Sequence, residues 1–421
     1  MVRLVALIAL VLVSGCKERN SLFCQNDMNA NDPACAGQVD AQQACETSTD
    51  CTGNETVCRL PDRVCVECTT AEADACTGTS PVCDDGTNRC VGCTEHSDCM
   101  ASSNVCLPTG ACAETAAVAY VSATGTDPAC TKLAPCGTLD DALKTNLTTI
   151  KFEAGLVSDT KLTVIDSRAL TILAERGAKL DRDDSGTILE VKGTSNVQIY
   201  DLEITGAAGI NDGIGISMPV GTARLALHRV KITACQSLGL SVAANQGLSM
   251  DRSIISGNAG GGVSISNVDF VLTNNIIVFN GGATSTTGGL TLSPATATHT
   301  FEFNTISDNS STGATASVRG VNCVIPMNGA NNIVNINKAS ASCTLEYTLF
   351  ETGAAVTGTN KAGEPAFLNT NPGNPLAPNY FRIGATSAAL DSANPASMMA
   401  VDIDADVRPA GAADIGADEL Q

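Results

Sequence analysis

With 421 residues, 20 cysteines, no tryptophan and a formal net charge of −20, the chain would repel the phosphates of a nucleic acid and the head groups of anionic lipid. An apolar fraction of 43% supplies ample core and excludes a disordered chain. The charge is uneven: residues 17–119 hold 16 Asp/Glu against 5 Lys/Arg, a net of −11 in about a quarter of the length, which separates an acidic N-terminal part from the remainder.

Arg3 is followed by an apolar stretch from Leu4 to Val13 that is too short to span a bilayer as a mature helix, so residues 1–15 read as a signal peptide. Its end, Leu12-Val13-Ser14-Gly15-Cys16, resembles the lipobox of bacterial lipoproteins. That resemblance implies a lipid on Cys16, residues 16–44 as a linker, and a membrane as partner through the acyl chains, each buried CH₂ contributing about 0.8 kcal/mol. Lys17 is not the Asp that favours retention at the inner membrane, so the resemblance points to the outer membrane or cell surface.

From Cys45 the cysteines recur regularly. Cys45, Cys51, Cys58 and Cys65 are followed by Cys68, Cys76, Cys83 and Cys90, then by Cys93, Cys99, Cys106 and Cys112, which makes three four-cysteine modules over residues 45–113. In an exported chain this is a disulfide framework, because units so short cannot bury enough surface to fold otherwise. The spacing leaves the connectivity open. Zinc is the rival for Cys65-x-x-Cys68 and Cys90-x-x-Cys93, but both pairs straddle module junctions and His96 is the segment's one histidine. The turn Asp84-Asp85-Gly86-Thr87-Asn88 offers calcium ligands or simply a solvated turn. Cys24 with Cys35, Cys130 with Cys136 and Cys323 with Cys343 make further pairs, which leaves Cys235 as a buried small hydrophobe. The segment resembles the short tandem cysteine-rich modules of some bacterial surface proteins, and the likeness implies a spacer or binding stalk.

Beyond a helical turn expected over Thr138 to Lys144, a strand-like run and a shorter one recur every 22 to 31 residues. The longer run is Val197-x-Ile199, then Leu225-x-Leu227, Leu248-x-Met250 and Phe270-x-Leu272, with echoes at Phe301-x-Phe303 and Leu345-x-Tyr347. The shorter is Gly239-Leu240-Ser241-Val242, Gly262-Val263-Ser264-Ile265, Gly289-Leu290-Thr291-Leu292 and Gly313-Ala314-Thr315-Ala316. Period-2 apolarity inside a fixed longer repeat predicts an all-β solenoid of parallel strands, with asparagines such as Asn258, Asn274, Asn275, Asn280, Asn304 and Asn309 at its corners.

Residues 120–421 resemble right-handed parallel β-helices of the pectate-lyase-like superfamily, in particular the surface proteins known as choice-of-anchor Q. The likeness rests on Tyr120-Val121-Ser122-Ala123-Thr124-Gly125, on Pro365-Ala366-Phe367-Leu368 and Tyr380-Phe381-Arg382-Ile383, and on the terminal Asp402-Ile403-Asp404-Ala405-Asp406-Val407-Arg408-Pro409 and Asp414-Ile415-Gly416-Ala417-Asp418-Glu419. It implies a right-handed parallel β-helix with a C-terminal cap.

Aligning the repeats places Tyr200, His228, Asp251, Thr273 and Asn304 in one column, and Asp201, Arg229, Arg252 and Asn274 in the next. Lyases on such folds use a Lys or Arg base with calcium, and hydrolases use paired Asp, so His228, Arg229, Asp251, Arg252 and Asp201 are the catalytic candidates. The alternative is an exposed ion-pair ladder. Asp402, Asp404 and Asp406 alternate and would share one side of an extended segment, giving a calcium candidate beside a purely structural reading; Asp181, Asp183 and Asp184 form another acidic turn. No other cofactor is expected. The expected function is a lipid-anchored surface protein, more binder than enzyme, presenting the β-helix to a glycan or partner protein. The alternative is a lyase or hydrolase of acidic polysaccharide.

Overall fold

The computed structural model describes residues 45–421 except 183, 283, 284, 313–318, 336, 337, 376 and 378. The signal peptide, Cys16, the linker with Cys24 and Cys35, Asp183 and the Gly313 repeat lie outside the described residues. The chain divides into two compact units that meet at residues 112 and 113.

In the first unit each module closes two bridges in the same pattern, first cysteine to third and second to fourth. These are Cys45–Cys58 with Cys51–Cys65, Cys68–Cys83 with Cys76–Cys90, and Cys93–Cys106 with Cys99–Cys112. A short antiparallel hairpin sets this pairing. Val57–Arg59 pairs with Val64–Val66, Val82–Asp84 with Arg89–Val91, and Cys106 bridges Cys112 in the third module. Each hairpin turns through one left-handed residue, Arg63, Asn88 or Gly110, whose carbonyl accepts from the N–H of that module's first cysteine. His96 Nδ1 accepts from Cys106 N–H at 3.1 Å, so the segment's histidine is spent on the backbone. The Asp84 carboxylate is likewise taken by its own turn, through Gly86 N–H at 2.9 Å and Thr87 Oγ1 at 2.8 Å.

The second unit is a coil of parallel strands in three sheets. Sheet 1 has ten strands, from Val118–Val121 to Cys343–Glu346; sheet 2 has ten, from Gly155–Asp159 to Lys361–Ala362; sheet 3 has seven, from Thr163–Asp166 to Val321–Cys323. One coil reads Asn196–Tyr200, Glu203–Thr205 and Ile216–Met218 before Arg224–His228 begins the next, directly in register with Asn196–Tyr200. Among the described residues seven coils are complete on all three sides. Alternate residues such as Val197, Ile199, Leu225, Leu227 and Met250 point inward and are fully buried, which is why the period-2 signal survives in the sequence. The helix Leu139–Lys144 is capped by Thr138 and buries Leu139, Ala142 and Leu143 against the first strands.

The corner from sheet 1 to sheet 2 is made by one left-handed residue per coil: Asp201, Arg229, Arg252, Asn274, Phe303, Asn331 and Tyr347, with φ between 46° and 62°. The next position inward carries Ser253, Asn275, Asn304 and Asn332. Each Asn side chain hydrogen-bonds to a neighbouring coil: Asn304 Nδ2 donates to Asn332 Oδ1 at 3.0 Å, and Asn304 Oδ1 accepts from Asn275 Nδ2 at 3.0 Å. Asn258, Asn280 and Asn309 form a second ladder at the corner into sheet 3, and Cys235 occupies its first position, its N–H donating to Asn258 Oδ1. Of the asparagines expected at corners, only Asn274 uses a left-handed backbone; the others are buried and act through their amides. The ladder also explains the repeated glycine of the shorter run. A Cβ on Gly239 would lie 2.8 Å from Asn258 Nδ2, and one on Gly262 would lie 2.7 Å from Gly289 O.

Residues 363–421 form a strap. In place of an end-cap, this segment runs along the side of the coil against the outward face of sheet 2. It covers Ile254, Ile276, Val278, Ile333 and Leu349 with Tyr380, Phe381, Ile383, Ile403 and Ile415. Tyr380 Oη meets Ser256 Oγ at 2.9 Å, Ala417 N–H donates to Thr305 Oγ1 at 3.1 Å, and Gly416 N–H donates to Asn331 O at 2.8 Å. The Cys130–Cys136 and Cys323–Cys343 bridges are present, and Cys235 is free and buried.

Candidate functional site

The corner of sheets 1 and 2 brings the five candidate side chains together. Register places Tyr200 beside His228, His228 beside Asp251, Asp251 beside Thr273 and Thr273 beside Glu302. Glu302 therefore takes the place expected for Asn304, which lies two residues on in the buried ladder. Tyr200 and His228 stack with ring centroids 4.4 Å apart and planes 16° from parallel, so the coil spacing covers one ring with the next. His228 Nδ1 is held by Asp251 Oδ1, and Arg252 Nε donates to Asp251 Oδ2 at 2.9 Å. One coil back, Arg229 grips Asp201 through two bonds of 2.6 and 2.7 Å and lies 5.8 Å from the Tyr200 ring centre.

Burial opposes ionisation of Asp251, but hydrogen bonding and charge from His228 and Arg252 outweigh it and hold the carboxyl below its ordinary value. Tyr200 is pushed up by burial and by the Asp251 charge. Glu302 differs from both aspartates. Its carboxyl has no hydrogen-bond or ion-pair partner among the described residues, and burial alone raises its pKa. Lys151, in the same outward column two coils before Tyr200, is buried beside Glu175 at 2.9 Å, and burial drives its ammonium down to about 8.

Sheet 3 presents a different face. Glu190, Ser217, Ser241, Ser264, Thr291 and Asn322 follow one another in register along its outside, a flat polar stripe with one acid at one end.

The calcium candidates at the C-terminus separate. Asp402 is buried and accepts from the N–H groups of Asp404 and Asp406 at 2.8 Å and of Glu419 at 2.9 Å; Asp406 is exposed. Asp418, and not Asp406, joins Asp402 and Asp404 in a group of close carboxylates, and Arg382 already supplies the cation, 2.7 Å from Asp404 and 3.4 Å from Asp418. Burial raises Asp418 to about 6. Behind this group Arg408 is buried over the Phe303 ring at 4.3 Å. It donates to Glu419 at 3.0 Å and to Asn274 Oδ1 at 3.2 Å, which ties strap to corner. Asp181 and Asp184 lie near Arg182, whose guanidinium is 4.0 Å from Asp184. Reading by repeats missed Glu302, Lys151 and the Arg408 anchor. For the last, the apolar corner residue Phe303 is the signal.

Residues 180–335 match the family described as the right handed beta helix region. The fold is a right-handed β-helix. Among solved structures, the chain is similar to pectate lyase Pel9A, with 12% identity and a TM-score of 0.50 over 72% of this chain and 96% of that one. A pectin methylesterase from Aspergillus niger in deglycosylated form aligns with 13% identity and a TM-score of 0.30 over 60% and 87%. No curated protein matches the sequence. At such identity the likeness to the lyase carries the fold alone.

Proposed function

We propose that the protein is a lipid-anchored surface protein whose β-helix binds a glycan or a partner protein and does not catalyse. The observation that carries this reading is the state of the charged corner: Asp201 is engaged by Arg229, and Asp251 by both His228 and Arg252, so neither carboxylate is left as a base. Tyr200 and His228 stack along the coil axis, with Tyr200 Oη donating to Gln198 Oε1 at 2.8 Å and His228 Nδ1 held by Asp251, so both rings are fixed as a surface more than poised for proton transfer. The hydroxyl stripe of sheet 3 supports the same reading, since it is flat and regular. A glycan array is expected to give binding that Arg229→Gln weakens, with no turnover on a polysaccharide panel followed by reducing sugar and by absorbance at the unsaturated uronate band. Cys16→Ser is expected to move the protein from the membrane fraction to the soluble one.

One observation favours the alternative of a lyase or hydrolase of acidic polysaccharide. Among the described residues Glu302 is an unpaired, partly buried carboxyl with a raised pKa, in the column of His228 and Asp251, which is the environment of a general acid. Turnover that disappears in Glu302→Gln would replace the binding reading with this one.

A further inference from the structure

The outward face of sheet 2 is apolar from Ile254 onward, where the strap covers it, and charged before that. In its early coils Lys179, Glu203 and Lys231 follow one another in register. The carboxylate of that row is already spent: Glu203 is buried, binds Lys179 Nζ at 3.0 Å through one oxygen and accepts from Thr233 Oγ1 at 3.2 Å through the other. Lys231 is only partly exposed, and among the described residues its ammonium has neither ion pair nor hydrogen bond. Burial lowers its pKa most; Glu203 works against this, while the charges of Arg176, Arg382 and Lys179 add to it. Arg176 is exposed and equally without a counter-ion among the described residues, and Arg382, largely covered within the strap, has Asp404 and Asp418 as its partners. A partly buried ammonium whose neighbouring carboxylate, Glu203, is already bound to Lys179 is costly unless an anion completes it.

We propose that this strip, centred on Lys231 and bordered by Arg176, Lys179 and Arg382, binds an oxyanionic group: a carboxylate, sulfate ester or phosphate ester carried on a surface polymer. The site is on a different face from the corner of sheets 1 and 2 and does not depend on how that corner is read. In a chain of net charge −20, Lys231 and Arg176 are two cations left without counter-ions among the described residues, which would admit one anionic substituent while the surrounding surface rejects a uniformly charged polyanion.

The test is titration of the full chain with inorganic sulfate, inorganic phosphate and glucuronate against chloride at matched ionic strength, read by calorimetry and by the melting temperature. Saturable binding of at least one probe is expected, weakened about tenfold in Lys231→Gln and in Arg176→Gln, as loss of one charge-assisted contact implies. The preferred probe distinguishes an ester from a uronate as the source. In chloride alone Lys231→Gln is expected to melt no lower than the parent, because it removes like-charge repulsion. No saturable binding of any probe, equal affinity in parent and Lys231→Gln, or a clearly lower melting temperature for Lys231→Gln in chloride would each overturn the proposal.

Discussion

Cys235 shows how one side chain is decided by its neighbours. It sits where Asn258 sits one coil later, but its thiol donates to Thr233 O at 3.5 Å and is enclosed by the coil interior, so burial drives its pKa up to about 12. A thiol with so little thiolate is not a nucleophile at neutral pH. Iodoacetamide is therefore expected to leave Cys235 unmodified in the folded protein and to alkylate it in denaturant, as peptide mass spectrometry would read; rapid labelling of the native chain would contradict the burial. The columns of Tyr200, His228 and Asp251 were legible because the intervening coils differ little in length. Glu302 was not, because Phe301-x-Phe303 imitates two inward strand residues. Phe303 is in fact the left-handed corner, and Arg408 lies against its ring, a contact over 105 residues that no local pattern records.

At the scale of an element, the asparagine ladder and the strap do different work. The two N–H groups of Asn304 Nδ2 serve Leu272 O and Asn332 Oδ1, with Glu302 O also within reach, and Asn304 Oδ1 accepts from Asn275 backbone and side chain. Asn304→Ala leaves these groups unpaired and is expected to cost about 2–4 kcal/mol in urea unfolding. Asn274→Ala, nearer the surface, should cost less while loosening Arg408 and Val401. The strap makes stability depend on pH. Asp418 ionises near 6 when folded against 3.8 ordinarily, so between about pH 4 and 6 the unfolded chain releases its proton first. Stability then falls as pH rises through that window, by an amount on the order of 2 kcal/mol, and Asp418→Asn is expected to flatten the slope. The need for a cover was written in the sequence: Ile254-Ile255, Ile276-Ile277-Val278 and Ile333-Val334 lack the alternation of sheet 1 and so must be buried on both faces. What covers them was not, because Tyr380 reaches Ser256 across 124 residues.

The whole molecule joins two units that are stable for different physical reasons. The module framework was legible from spacing, but its first-to-third, second-to-fourth connectivity needed the hairpins, whose turn residues Arg63, Asn88 and Gly110 share no residue type. Within residues 45–112 the side chains that cluster are themselves largely cysteines, such as Cys93, Cys99 and Cys106, so the six bridges, each contributing roughly 2–4 kcal/mol, hold the fold in place of a core. Residues 113–421 instead bury a continuous column from Ala119 to Leu345, and its two bridges close loops of only 6 and 20 residues. Reduction is therefore expected to divide the chain. With dithiothreitol at neutral pH, limited proteolysis should cut rapidly between residues 45 and 112 and leave a resistant fragment beginning near residue 113, with its far-ultraviolet β signal intact. If the β-helix signal were instead lost at the same reductant concentration that opens the modules, the column of buried Val, Ile and Leu would not be sufficient to hold the coils, and the bridges would have to be assigned a role in both units.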